Sequence, residues 1–214
     1  AAGREADVPC AREIPGTPLT AIDAVDLTLC NNPQTREIWA AARYQAAQVG
    51  VAQAAWLPNL DGRLGGSRNQ NDGRYYNSSS AVLTLSWLVF DSGARSANGE
   101  NARQLLAAAA ATQDATVQSL FLAALQAFYT AQATRAAVVA TTEAERAARE
   151  GFNAAESRYN VGIATPADRL LAQTALSQAT LNRIRAEGEA RNALGALANV
   201  MGFKAGQSLA IEPP

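Results

Sequence analysis

The densest mixture of charged side chains lies at 143–158, where Glu143, Glu145, Glu150 and Glu156 sit among Arg146, Arg149 and Arg158. Two carboxylates at a fixed separation could act as acid and base. Their three- and four-residue spacings to arginine point instead to a salt-bridged helix face. Histidine is absent, which removes Ser-His-Asp triads, histidine-ligated zinc and histidine proton relays. The glycines of "GRLGG" at 62–66 lack the following helix that phosphate binding needs, and read as glycine in a strand. Cys10 and Cys30 are too few for a Cys-only zinc site. A disulfide between them would close a loop of about 20 residues, worth about 3 kcal/mol on the chain-entropy account, and would imply an oxidising compartment. Two unpaired buried thiols are the alternative. No enzyme, no cofactor and no metal site is expected.

The elements that carry these residues are mostly helical. A net charge of -1 offers no electrostatic case for nucleic acid. The longest obvious apolar run, "LLAAAAA" at 105–111, falls short of the roughly 20 residues of a membrane-spanning helix. The start, "AAGREADVPC", lacks the basic-then-apolar pattern of a signal peptide, and 1–17 reads as an N-terminal extended segment. Residues 18–58 form a first helical region: Leu19, Ile22, Val25 or Asp26, and Leu29 fall at helical spacing with Thr20 as the N-cap, and Asn32-Pro33 opens a second run that Pro58 stops. From 92 a run of about 60 residues without proline reaches Asn160. Such length points to a coiled coil or a helical assembly. Gly162 and Pro166 mark a turn at 160–166, and a second helical run continues to 201, so that 92–201 is a long helical hairpin. Residues 202–214 read as a tail or linker.

Between these helices, 59–91 changes period. Leu83, Leu85, Trp87 and Val89 alternate with Val82, Thr84 and Ser86, a strand pattern. Its partner is expected near Leu60–Arg68, across a long polar loop from Asn71 to Ser79. The alternation fits half-burial on a soluble core. It also fits a transmembrane barrel strand with Leu83, Leu85, Trp87 and Val89 facing lipid and aromatic residues in a girdle.

Three stretches in this order, "AVDLTLCNNPQTREIWAAARYQAAQVGVAQAAWLPNLDGRLG", "LTLSWLVFDSGARS" and "RYNVGIATPADRLLAQTAL", resemble the outer-membrane efflux and secretion channels of the TolC type. The resemblance covers nearly the whole chain and about one half of the family's length, corresponding to its first repeat. It implies a mainly α fold with one β-hairpin, in which a long α-helical tunnel hairpin joins two transmembrane strands contributed to an oligomeric β-barrel. Strands pooled from several copies can close an edge that one hairpin cannot. The resemblance further implies a homotrimer of the full-length subunit in the outer membrane of a Gram-negative bacterium, contacting outer-membrane lipid and extending into the periplasm. There it would act as a passive duct of a tripartite efflux or type I secretion system. Asn160, Val161, Gly162 and Ile163 match the tip that docks a periplasmic adaptor (membrane-fusion) protein, linked indirectly to an inner-membrane pump. Asp168 matches the acid of the tunnel gate; a first-turn acid favoured by the helix dipole is the other reading of it. A native gene continuing past Pro214 with a second repeat is expected; a half-length version that assembles with more copies is the alternative. The alternative from another class is a soluble periplasmic coiled-coil adaptor or scaffold, in which the 82–90 strand would be buried.

Overall fold

The computed structural model describes residues 13–14, 16–71, 73–207 and 209–212. Six elements follow one another: α1 (Ala21–Asn31), α2 (Pro33–Ala54), β1 (Asn59–Asn71), β2 (Arg74–Ser86), α3 (Ala94–Asn160) and α4 (Pro166–Val200). The helix starts arise from local chemistry. Thr20 caps α1 in a reciprocal box with Asp23: the Asp23 amide donates to Thr20 Oγ1 at 3.2 Å, and the Thr20 amide donates to Asp23 Oδ2 at 3.1 Å. Each such box satisfies two amides that a helix N-terminus leaves without partners. Pro33 takes the first position of α2, where its missing N–H costs nothing. The Asn32 side chain accepts from the Gln34 amide at 2.9 Å.

Two compact units divide the chain, one made of the residues up to 37 together with those from 114 onward, the other of 38–113. The first unit holds the core. Leu19, Ala24, Leu27, Phe128, Ala131, Leu197, Met201 and Ile211 form one buried cluster. The inward stripe of α3 runs through Leu120, Ala124, Phe128 and Ala131, whereas Phe121 is exposed. A stripe drawn through the large residues Val117, Phe121, Leu125 and Phe128 shares only Phe128 with it, because alanine supplies part of the packing surface.

The expected tail is not free. Leu19 pairs with Ile211 in a parallel bridge, its amide donating to Ala210 O at 2.8 Å while the Glu212 amide donates to Leu19 O at 3.0 Å. Arg135 Nη1 adds a bond to Ile211 O at 2.9 Å. Gly202 makes this docking possible. It adopts φ 79°, and a Cβ there would stand 2.6 Å from Asn31 O.

In the second unit β1 and β2 form an antiparallel two-stranded sheet. The expected long loop from Asn71 to Ser79 is corrected. Asn71 pairs directly with Arg74, Gly73 takes φ 77°, and the polar residues 74–80 belong to β2. The Asp-Gly pair after Asn71 is a strong short-range hairpin signal, hidden here among other polar residues. The second strand also ends earlier than expected, at Ser86. Trp87 and Val89 therefore lie beyond the strand, in a connector without regular structure that leads to α3.

Candidate functional site: an amphipathic hairpin, its junction and a capped turn

The register sorts the hairpin into two chemically different faces. On one, Leu60 opposes Leu85, Gly62 opposes Leu83 and Leu64 opposes Ala81; on the other, Asp61 opposes Thr84, Arg63 opposes Val82 and Gly65 opposes Ser80. The apolar face is uncovered: Leu64 is 89% and Leu83 is 74% exposed, and Leu60 and Leu85 are also exposed. Tyr75 and Arg68 share this face toward the turn, with the Arg68 guanidinium 4.9 Å from the ring centroid. From Leu85 to Tyr75 the strand covers about 33 Å at about 3.3 Å per residue. At a tilt of about 40° that is about 25 Å; on this face the apolar side chains run from Leu85 to Ala81 and resume at Tyr75, with Ser79 and Asn77 between them. Each strand keeps one edge without a strand partner among the described residues.

Where the hairpin meets the helices, a buried arginine ties the connector after α2 to the one between β2 and α3. Arg95, 8% exposed, donates from Nε to Asp91 Oδ2 at 2.7 Å, from Nη1 to Leu88 O at 2.6 Å and from Nη2 to Val89 O at 3.3 Å. Its guanidinium stacks 4.5 Å from the Trp56 ring centroid. Asp91 also accepts from the Arg95 and Gly93 amides, closing the first turn of α3. The Arg95 amide and guanidinium hold the Asp91 carboxyl below its ordinary range. Ser92 and Gly93 take φ 55° and 94°, the left-handed backbone that turns the chain sharply enough to bring Arg95 over the carbonyls. Trp87 adds a second tie, its Nε1 donating to Trp56 O at 3.2 Å. Outside these ties, Trp87 and Val89 are exposed, as are Leu88 and Phe90.

The turn between α3 and α4 is built from two caps. The Gly162 amide donates to Tyr159 O at 3.0 Å and the Ile163 amide to Arg158 O at 2.9 Å, a Schellman closure with Gly162 at φ 76°. Thr165 and Asp168 then form a capping box around Pro166: Asp168 Oδ2 accepts from the Thr165 amide at 2.9 Å and hydroxyl at 2.7 Å. These two bonds hold the Asp168 carboxyl below its ordinary range. Between the caps, Val161 (70%) and Ile163 (79%) present their side chains to solvent, and Asn160 ends α3. Arg169 braces the turn from α4, paired with Glu156 at 3.4 Å and set over the Tyr159 ring at 5.5 Å.

Farther along the hairpin, Glu145 is buried at 7% and joins α3 to α4. It accepts from Arg183 Nε, from Thr180 Oγ1 at 3.0 Å and from Arg149 Nη2 at 3.0 Å. Arg183 also donates to Glu187 at 2.5 Å. The expected ion-paired face is partly present, as Arg146 pairs with Glu143 at 2.5 Å. Periodicity alone did not reveal that Glu145 turns inward.

Cys30 is buried on α1 and is not a free thiol; Cys10 lies outside the described residues. Among the described residues no group of three His, Cys, Asp or Glu could hold a metal ion. No helix of the described residues is long and apolar enough to cross a membrane.

Residues 24–203 match the family described as outer membrane efflux protein. The chain is similar to protein CyaE of Bordetella pertussis (strain Tohama I), with 34% identity over 201 residues, 91% of this chain and 42% of that protein. In structure it is similar to the CmeC outer membrane channel of Campylobacter jejuni, with a TM-score of 0.77 and 21% identity over 90% of this chain and 45% of that one. It is also similar to the open-state MtrE outer membrane channel of Neisseria gonorrhoeae, with a TM-score of 0.71 and 22% identity over 85% of this chain and 42% of that one. At these identities the structural likeness speaks for the fold. The chain spans less than half the length of each of these three relatives.

Proposed function

The chain belongs to the outer membrane efflux protein family, and from that membership we propose that it forms part of the wall of a passive export duct. Its location is the outer membrane, extending into the periplasm. The observation that carries the reading is the β1–β2 pair: one face apolar and uncovered, the other polar, and both outer edges without a strand partner among the described residues. In lipid such edges must be satisfied by strands from further copies or further repeats, which closes a barrel. The polar face then lines water. The scaffold alternative needed the 82–90 segment buried; the exposure of Leu83, Leu85, Trp87 and Val89 speaks against it.

In this reading α3 and α4 belong to a tunnel wall. The exposed Phe121, Leu122, Val139 and Ile184 are covered, in this proposal, by neighbouring subunits of a trimer. Asn160, Val161, Gly162 and Ile163 dock the tip of a periplasmic adaptor, and the Asp168 carboxylates form an anionic ring at the narrow end. The pairing of Cys10 with Cys30 in a disulfide is part of the same proposal. The duct serves an efflux pump or a type I secretion pump. Planar-bilayer recording of the full gene product tests the reading: discrete conductance steps are expected. A protein that leaves outer-membrane fractions without detergent and forms no steps would overturn it.

A further inference from the structure

The cluster around Arg95 does more than end a strand. A buried guanidinium stabilises a fold only where its donors and charge are matched, because desolvation costs several kcal/mol per ion. Here the matching groups come from two separate connectors, one after α2 and one between β2 and α3. Trp56 follows α2, the carbonyls of Leu88 and Val89 follow β2, and Asp91 precedes α3. Ser86, the last residue of β2, is two positions from one of the accepting carbonyls. The guanidinium thus fixes where the strand pair leaves the helices. We propose that Arg95 is the positioning residue of the barrel junction, a pin that sets the exit of β1–β2 so that each hairpin enters the barrel in register with the next.

The chemistry selects arginine over any other cation. Its planar fork donates in several directions at once while its face lies on an indole, whereas the lysine ammonium is a compact point charge. Lysine at 95 could reach Asp91 or one carbonyl, leaving the rest unpaired. The inference rests on the barrel reading. The conductance of the unaltered channel tests that reading, and the variants, each compared with it, test the pin.

The experiment takes the full gene product with R95Q, R95K, W56F and W56A. It measures helical ellipticity, the yield of detergent-resistant oligomer and the number of channels per amount of protein in planar bilayers. R95Q is expected to keep its ellipticity and to lose at least tenfold in oligomer yield and channel number. R95K recovers less than twofold of that loss, W56F stays within twofold of the unaltered protein, and W56A falls with R95Q. Hydrogen exchange of amides 88–95 quickens at least tenfold in R95Q while amides 160–168 are unchanged, a readout independent of channel formation. Full rescue by R95K would reduce the role to charge alone and overturn the proposal. Unaltered assembly of R95Q, or a loss of ellipticity in step with the loss of channels, would overturn it too.

Discussion

Gly202→Ala tests how the C-terminal segment is seated on α1. Gly202 has φ 79°, and an added Cβ would lie 2.6 Å from Asn31 O, 2.8 Å from Asn31 C and 3.1 Å from Asn32 N. A side chain in the left-handed region costs about 1 kcal/mol. The overlapping atoms are backbone and cannot swing aside, so Asn31 and Asn32 must shift. Asn32 is held by two bonds that the shift would break, its Nδ2 to Val200 O at 2.9 Å and its Oδ1 from the Gln34 amide at 2.9 Å, each worth about 1 kcal/mol. The sum is about 3 kcal/mol, which for a chain of this size lowers Tm by about 10 °C. Gly206→Ala is the matched control, since a Cβ there meets nothing within 4 Å and its φ is ordinary; it should change Tm by less than about 2 °C. Thermal unfolding followed by ellipticity measures both. Equal Tm values for the two variants would refute the reasoning.

Four further outcomes follow from the same contacts. Glu145 is held below the ordinary glutamate value of 4.5 by Arg183, then Thr180, against burial and with help from Arg149; its stabilisation is therefore complete above about pH 4.5 and lost as pH falls below it. Acid unfolding of the protein should be less steep below that pH in Glu145→Gln, and identical acid limbs would remove the charge from the account. Gly188 lies inside α4 with open space around it, so Gly188→Ala should raise Tm by about 2–4 °C through helix propensity; a lower Tm would place that position against a neighbouring subunit. Asp168→Ala in the full gene product should raise single-channel conductance, while Thr165→Ala, which removes the cap at a cost of about 1 kcal/mol, should not; a rise in both would assign the effect to the turn, and a rise in neither would remove Asp168 from the gate. Leu197→Ala, at a fully buried site, should cost about 2–5 kcal/mol, read as a fall in the denaturation midpoint; no fall would contradict the core described.

Features that a few neighbouring residues decide were legible in the sequence. Thr20, Asn32-Pro33, Gly162 and Pro166 each mark helix ends within three or four residues, so composition and spacing reveal them without tertiary context. The alternation from Val82 to Ser86 was legible for the same reason. The strand's end was not, because Trp87 and Val89 continue the alternation by residue type while the backbone has already left the ladder. The turn after Asn71 was obscured because serine and asparagine in 74–80 look like loop residues, although Ser78 and Ser80 fall on the polar face of the strand. Arg95, Glu145 and Asn32 depend on partners brought close by the fold, Asn32 meeting Val200 across 168 residues. Asp91 and Arg95 four apart, followed by a helix, was the one available hint of the junction.

The most direct test of the central claim is the accessibility of single spin labels placed from residue 79 to 86 in the full gene product reconstituted in lipid vesicles. The account predicts maxima of collision with oxygen at 81, 83 and 85, and maxima of collision with a water-soluble nickel chelate at 80, 82 and 84. Uniform accessibility along the segment, or the opposite alternation, would contradict a barrel strand with its leucine face in lipid.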